Sequence, residues 1–200
     1  VRLGTLSALF KDSWVDRLAL LLSTLGMSLP SFFAAILIEW FFAYVLADWT
    51  HLNMFGTLYT VDDYGTGEYL DLKNLILPAL TLGIRPLATL TQLTRNSLLE
   101  ALSQDYIRTA RAKGLREKVV IYSHAWRNAL LPVITSILGW FLSIFSGSVI
   151  IENTFSLNGM GKLYWQGLNN MDFELVLAIQ MFYSIVSLVG SLLIDISYTT

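Results

Sequence analysis

Residues 100–132 read EALSQDYIRTARAKGLREKVVIYSHAWRNALLP, and this stretch decides how the rest of the chain is understood. It lies between long apolar segments yet gathers Arg108, Arg111, Lys113, Arg116, Lys118 and Arg127, with Arg95 just upstream. Only Glu100, Asp105 and Glu117 oppose them. The residue order predicts a short helix, Tyr106 to Lys113, roughly 12 Å long at 1.5 Å per residue. Asp105 is placed to cap it by accepting from the amides of the first turn. Gly114 is placed to end it in the left-handed conformation. Arg111 and Lys113 fall in the last turn, where positive charge suits the helix dipole. Tyr106, Ile107 and Ala110 share one face through i+3 and i+4 spacing, while Arg108 and Arg111 line another. So short a helix is marginal alone in water, and it should be held by its neighbours or by a partner. A second segment, Glu117 to Trp126, leads on to Asn128–Pro132, where Asn128 is expected to cap a return into apolar surroundings.

Composition sets the surroundings. Of the 200 residues, 54% are hydrophobic and 14% charged, whereas a soluble domain carries about 25% charged residues. A deficit of that size makes the membrane the solvent. The net charge of −2 points away from a nucleic-acid partner. Without cysteine there is neither a disulfide nor a thiolate metal site. Val1–Phe10 reads as the end of an apolar helix, so the chain is expected to be a fragment lacking at least one span at its start.

Four apolar stretches compare with the roughly 20 residues that a spanning helix needs. The first, Trp14 to Trp49, contains Pro30, which removes a donor and clashes with the preceding turn. It is therefore expected to split into a lead-in helix, Trp14 to Leu25, and a span, Ser31 to Ala47. Further spans are expected at Leu75 to Leu93, Ala129 to Ile151 and Leu175 to Ser197. Arg2, Lys11, Arg17 and the basic residues from Arg95 to Arg127 fall on one side of these spans. Lys73 and Lys162 fall on the other. The positive-inside rule then puts loop 95–128 in the cytoplasm and loops 48–74 and 152–174 outside. The first outer loop, with Tyr59, Tyr64 and Tyr69 among Asp63, Gly65 and Gly67, is expected to form an interfacial cap. Asn158-Gly159-Met160-Gly161-Lys162 lacks phosphate-loop spacing and is expected to be a turn before a short helix, Lys162 to Leu168.

Glu39 and Arg85 fall within expected spans, where an ionisable residue is a functional candidate. They lie at similar depths, about 13 and 16 Å from the outer end by the helical rise. Either they pair, locking two helices, or they line a solute path. Asp195 should reach water or a basic residue near the inner end of the last span. His124 is expected to make a local hydrogen bond, and His51 has no ligand-spaced companion, so no metal site is expected. On physical grounds alone the basic loop also fits a segment attracted to anionic lipid.

The order Gln104-Asp105-Tyr106-Ile107-Arg108-Thr109-Ala110-Arg111-Ala112-Lys113-Gly114-Leu115, then His124-Ala125 and Arg127-Asn128-Ala129-Leu130-Leu131-Pro132-Val133, resembles the EAA loop of ABC importer permeases. The subtype it resembles is the dipeptide, oligopeptide and nickel permease, first membrane subunit. Leu29-Pro30-Ser31-Phe32, Ile76-Leu77-Pro78-Ala79-Leu80-Thr81-Leu82-Gly83, Leu93-Thr94-Arg95 and Gly159-Met160-Gly161 look like further landmarks, so the likeness runs over nearly the whole chain. The chain departs from the pattern at Arg108-Thr109-Ala110, where the general motif has Glu-Ala-Ala. Trp126 stands in place of a smaller aliphatic residue, and Asn158 in place of proline.

The resemblance implies an all-α, polytopic transmembrane bundle of the type I importer kind, with about four complete spans plus a partial one. Residues 1–200 would be one transmembrane domain incomplete at its N-terminus, with 95–128 as its coupling loop. Asp105, Tyr106, Ile107, Arg108, Ala110, Arg111, Ala112, Lys113, Gly114, Asn128 and Pro132 would serve coupling to an ATPase. Expected partners are a second permease subunit, two cytoplasmic ATPase subunits, an extracytoplasmic solute-binding protein and membrane lipid. The chain contains no Walker A sequence, so ATP and Mg²⁺ are expected on the ATPase subunits, with no cofactor and no enzymatic activity here. An ion-coupled carrier or channel is the competing expectation.

Overall fold

The computed structural model of the chain describes residues 1–61, 67–144 and 147–199. In chain order the helices are α1 (Arg2–Leu9), α2 (Trp14–Ser28), α3 (Ser31–Glu39), α4 (Ala47–Thr50), α5 (Ile76–Ser103), α6 (Asp105–Ala112), α7 (Glu117–Val119), α8 (Trp126–Ala129), α9 (Leu131–Ser143), α10 (Val149–Thr154), α11 (Met160–Asn169) and α12 (Phe173–Thr199). Wider π-helical turns follow α3 (Trp40–Val45) and α7 (Val120–Ala125). Among the described residues the fold is all-α apart from one antiparallel strand pair, β1 (Tyr59–Val61) with β2 (Glu68–Leu70), in which Tyr59 pairs with Leu70 and Thr60 with Tyr69. The strands belong to the segment expected to form an outer interfacial cap; its turn formers Asp63 and Gly65, and Tyr64, lie outside the described residues.

Among the described residues, two helical stretches are long and apolar enough to cross a membrane, Leu72–Ser103 and Phe173–Ile196. Trp14–Ser28 and Ser31–Val45 reach that length and apolarity only when taken together, as a pair of helices separated by the Pro30 break. The last span matches its expected position closely. The span expected at 75–93 runs ten residues further, to Ser103, because Asn96–Ser103 continues the helical pattern without a breaker. Arg95 is therefore part of a helix and not of a loop. The span expected at 129–151 is interrupted: α9 stops at Ser143 and α10 starts afresh at Val149. Between them Gly147 turns with φ +68°, a conformation glycine adopts at little cost.

The chain divides into two compact units. The first, 1–28 and 85–140, is held by small apolar residues at close quarters. Ala8, Leu98, Ala101, Ile107, Ala110, Val120, Ala125 and Ala129 form its core, with Leu99, Leu102 and Trp126 against it. Gly4 of α1 brings the backbone onto α5: a Cβ there would stand 2.4 Å from the Thr91 carbonyl and 2.8 Å from Thr94 Cβ. Trp126 Nε1 donates to Thr5 Oγ1 at 3.1 Å, so the indole that departs from the family pattern anchors α8 to α1.

The second unit, 29–84 and 141–200, packs Ala35, Ala43, Leu77, Ile151 and Phe155 together, with Ile38, Phe42, Leu52, Met54 and Leu157 around them. Asn74 ties its loop: Nδ2 donates to the Thr57 carbonyl at 2.8 Å and Oδ1 accepts from Asn53 Nδ2 at 2.9 Å.

Candidate functional site

The basic stretch folds into α6 and the helical run that follows it. Gln104 is extended (ψ 153°) and takes the position before the helix, so Asp105 begins α6 and does not cap it. As a first-turn acid it still suits the positive end of the dipole, and Arg108 Nη1 reaches its Oδ1 at 3.4 Å. The far end closes as the glycine predicts. Gly114 has φ +75°, its N–H donates to the Arg111 carbonyl at 2.9 Å, and the Leu115 N–H donates to the Ala110 carbonyl at 3.4 Å. That pair of bonds is a Schellman closure, which satisfies carbonyls a helix end otherwise leaves open.

Ile107 is fully buried and Ala110 nearly so; both belong to the core that also contains Leu98 and Ala101 of α5 and Val120 and Ala125 of the π-helical turn after α7. Tyr106, expected on the same face, is 40% exposed. Two inward residues three apart hold the helix, which leaves Tyr106 on the outer side. Burial of Ile107 alone is worth about 2 kcal/mol, enough to order a helix too short to persist unaided. The outer face carries Tyr106, Arg108, Thr109 and Ala112, and beyond Gly114 it continues through Leu115, Val119 and Tyr122, all exposed. Arg111, Lys113, Arg116 and Lys118 surround these apolar groups with positive charge, and all four are exposed.

Arg111 clasps Glu117 across the Gly114 turn, Nη2 to Oε1 at 2.7 Å and Nε to Oε2 at 3.2 Å. The hydrogen-bonded guanidinium holds the Glu117 carboxyl below its ordinary value and raises Arg111 in turn. Both side chains are about half exposed, so the pair orients the turn more than it stabilises the fold. Asn128 is not a cap: it lies inside the helical run, and its Nδ2 donates back to the His124 carbonyl at 3.3 Å. Pro132 falls in the first turn of α9, where its missing N–H costs little.

Glu39 and Arg85 have different surroundings. Glu39, 7% exposed, is the last residue of α3, directly before the π-helical turn, a feature frequent at functional sites. Arg85 is exposed, on α5 next to Pro86. Among the described residues neither takes part in an ion pair.

Two polar constellations were not foreseen, although Arg95 and Gly159-Met160-Gly161 stood among the landmarks of the sequence. Asp16 of α2, which is buried, and Arg95 of α5, which is partly covered, form an ion pair. Glu152 of α10 is 9% exposed. Its Oε1 accepts from the Ser148 N–H at 3.0 Å and its Oε2 from the Lys162 N–H at 2.7 Å. Gly147, Gly159 and Gly161 surround it; a Cβ on Gly159 would stand 2.4 Å from Glu152 Cδ. The Gly159-Met160-Gly161 landmark thus makes room for a carboxylate that caps α11. The short helix expected at Lys162–Leu168 forms, and extends over Met160–Asn169.

The whole chain, residues 1–200, matches the family described as binding-protein-dependent transport system inner membrane component. A dipeptide transport system permease of Bacillus subtilis is 36% identical over 98% of this chain and 59% of its own length. A putative peptide transport system permease of Brucella abortus is 37% identical over 98% of this chain and 60% of its own length. A glutathione transport system permease of Pectobacterium atrosepticum is 34% identical over 98% of this chain and 59% of its own length. The chain thus spans about three fifths of the length of these relatives.

Proposed function

Because the chain belongs to the family of binding-protein-dependent transport system inner membrane components, we propose that it is part of a permease subunit of an ATP-driven ABC importer for di- and oligopeptides or similar solutes. The observation that carries this reading is α6. One side of the helix is buried on its own unit through Ile107 and Ala110, and the other offers Tyr106, Arg108 and Ala112 to a partner. The Schellman closure at Gly114 and the Arg111–Glu117 clasp hold that surface in one shape. A preformed surface loses less freedom on binding, and it transmits displacement as a packed element.

The partner of α6 is a cytoplasmic ATPase subunit. Since the chain has no Walker A sequence, ATP and Mg²⁺ bind on two such subunits and the work reaches the spans through the loop. A second permease subunit completes the path, and an extracytoplasmic solute-binding protein delivers the solute. The excess of Lys and Arg supports a multi-pass chain in the cytoplasmic membrane, with 95–128 inside and 48–74 and 152–174 outside. Glu39, buried and without an ion-pair partner among the described residues, and Arg85, exposed on α5, are each taken by themselves as candidates for contact with a charged end of the solute. The dipeptide and glutathione permeases among its relatives support that solute class.

Membrane vesicles carrying the whole transporter test this reading. Uptake of a tritiated dipeptide should require ATP on the side of loop 95–128 and persist when ion gradients are collapsed. Uptake that follows a proton or sodium gradient without ATP would instead establish an ion-coupled carrier.

A further inference from the structure

Asp16 is the most fully engaged carboxylate of the first unit, at 1% exposure. Its Oδ1 accepts from Arg95 Nε at 2.6 Å and from Ser7 Oγ. Its Oδ2 accepts from Arg95 Nη2 at 2.8 Å and from the Asp12 N–H at 2.9 Å. The donors come from α1, from the turn between α1 and α2, and from α5. The guanidinium fork takes both oxygens, which fixes direction as well as distance. Three residues beyond Arg95 on α5 lies Leu98, and six beyond lies Ala101. These two residues belong to the core that holds Ile107 and Ala110 of α6. Any displacement of α6 therefore bears on the stretch of α5 that Asp16 grips.

Stability alone does not account for this arrangement, since well-packed apolar residues serve as well as a buried ion pair or better. The pair differs from an apolar contact in its response to sliding. Helices joined by small apolar residues can slip past one another, whereas moving Arg95 off Asp16 would leave the buried Asp16 carboxylate without its cation. We infer that the Asp16–Arg95 pair is a positioning joint that makes α1, α2, the second half of α5 and the docking helix α6 move as one body, so that work done on α6 is delivered to α2. The inference rests on the reading of α6 as the docking element.

The chain has no cysteine, so Leu21→Cys on α2 and Thr109→Cys on α6 add the only thiols of these 200 residues and can carry a spin-label pair in a complete transporter whose remaining cysteines have been replaced by serine. In an otherwise unaltered protein, the label separation should be the same in the nucleotide-free and the ADP–vanadate-trapped states. A separation that changes between them overturns the joint. D16N, and R95K with its charge kept but its fork lost, should make the separation nucleotide-dependent. They should also lower uptake of a tritiated dipeptide per ATP hydrolysed about tenfold in assembled complexes, within the range of site-to-site coupling. Variants that assemble and keep the unaltered ratio would also overturn it. If the unaltered transporter itself shows no ATP-dependent uptake, the proposed function fails instead, and the label separation still judges the joint.

Discussion

Arg111 and Glu117 close on each other across the Gly114 turn, with both guanidinium donors of the fork meeting both carboxylate oxygens at 2.7 and 3.2 Å. Because the clasp lowers the Glu117 carboxyl, its ordering effect is complete at neutral pH. It is lost only as the pH falls below the ordinary glutamate value of 4.5 and through the lowered one. Amide exchange of residues 105–119 in the purified permease should therefore be flat from neutral pH to the ordinary glutamate value, after correction for intrinsic rates, and accelerate below it. E117Q should exchange at the faster rate throughout. An E117Q profile that superimposes on the parent would show that the clasp orders nothing.

Gly114 offers a test that separates conformation from crowding. A Cβ there would meet nothing within 4 Å, so any penalty comes from the left-handed backbone, about 1–2 kcal/mol for a residue with a Cβ. Gly114→Val should abolish ATP-driven transport, because β-branched residues resist positive φ. Gly114→Asn, which tolerates that region, should retain most of it. Equal transport by the two variants in proteoliposomes would remove the role assigned to the turn.

Glu152 and Gly159 should behave as a single unit in thermal unfolding. Gly159→Ala drives a Cβ into the carboxylate, and Glu152→Ala leaves the Ser148 and Lys162 amides without acceptors, at roughly 1–3 kcal/mol for a buried donor. The double variant should cost clearly less than the sum of the two, since the second change acts on an interaction already lost. Strict additivity in unfolding of the purified permease would contradict the cradle.

Ile107 and Tyr106 are neighbours in sequence with opposite duties. Ile107→Ala should destabilise the purified permease by about 2–4 kcal/mol, as expected for a buried side chain reduced to a cavity. Tyr106→Ala should leave its unfolding within about 0.5 kcal/mol of the parent, as exposed positions do, yet weaken retention of the ATPase subunits on affinity purification. Reversal of the two effects would mean that the faces of α6 have been assigned the wrong way round.

The features legible in the sequence were those with local causes. The apolar run of α12, the short α6 and the left-handed Gly114 each follow from neighbouring residues. Asp105 and Asn128 carried capping side chains, but the helix began one residue early at the first and ran through the second, so neither cap formed. Arg95, though part of the Leu93-Thr94-Arg95 landmark, reads as one of the loop charges, because the apolar stretch ends at Leu93 while α5 itself continues to Ser103. Its partner Asp16 lies 79 residues away, and only the packing of α2 on α5 brings the two together. Glu152 was hidden for a similar reason: its role depends on glycines on both sides of a turn that the apolar composition of 129–151 disguised as a continuous span.

Site-specific cross-linking tests the central claim most directly. Single cysteines at Tyr106, Ala112 and Ala110 of α6, and at Trp49 of α4, can be introduced into the complete transporter and treated with a short thiol-to-amine cross-linker. Cross-links to an ATPase subunit should form from positions 106 and 112, which are exposed, and be absent from the buried position 110 and from position 49. An assembled, active transporter that forms no cross-link from 106 or 112, or forms it equally from 49, would contradict the assignment of α6 as the docking helix.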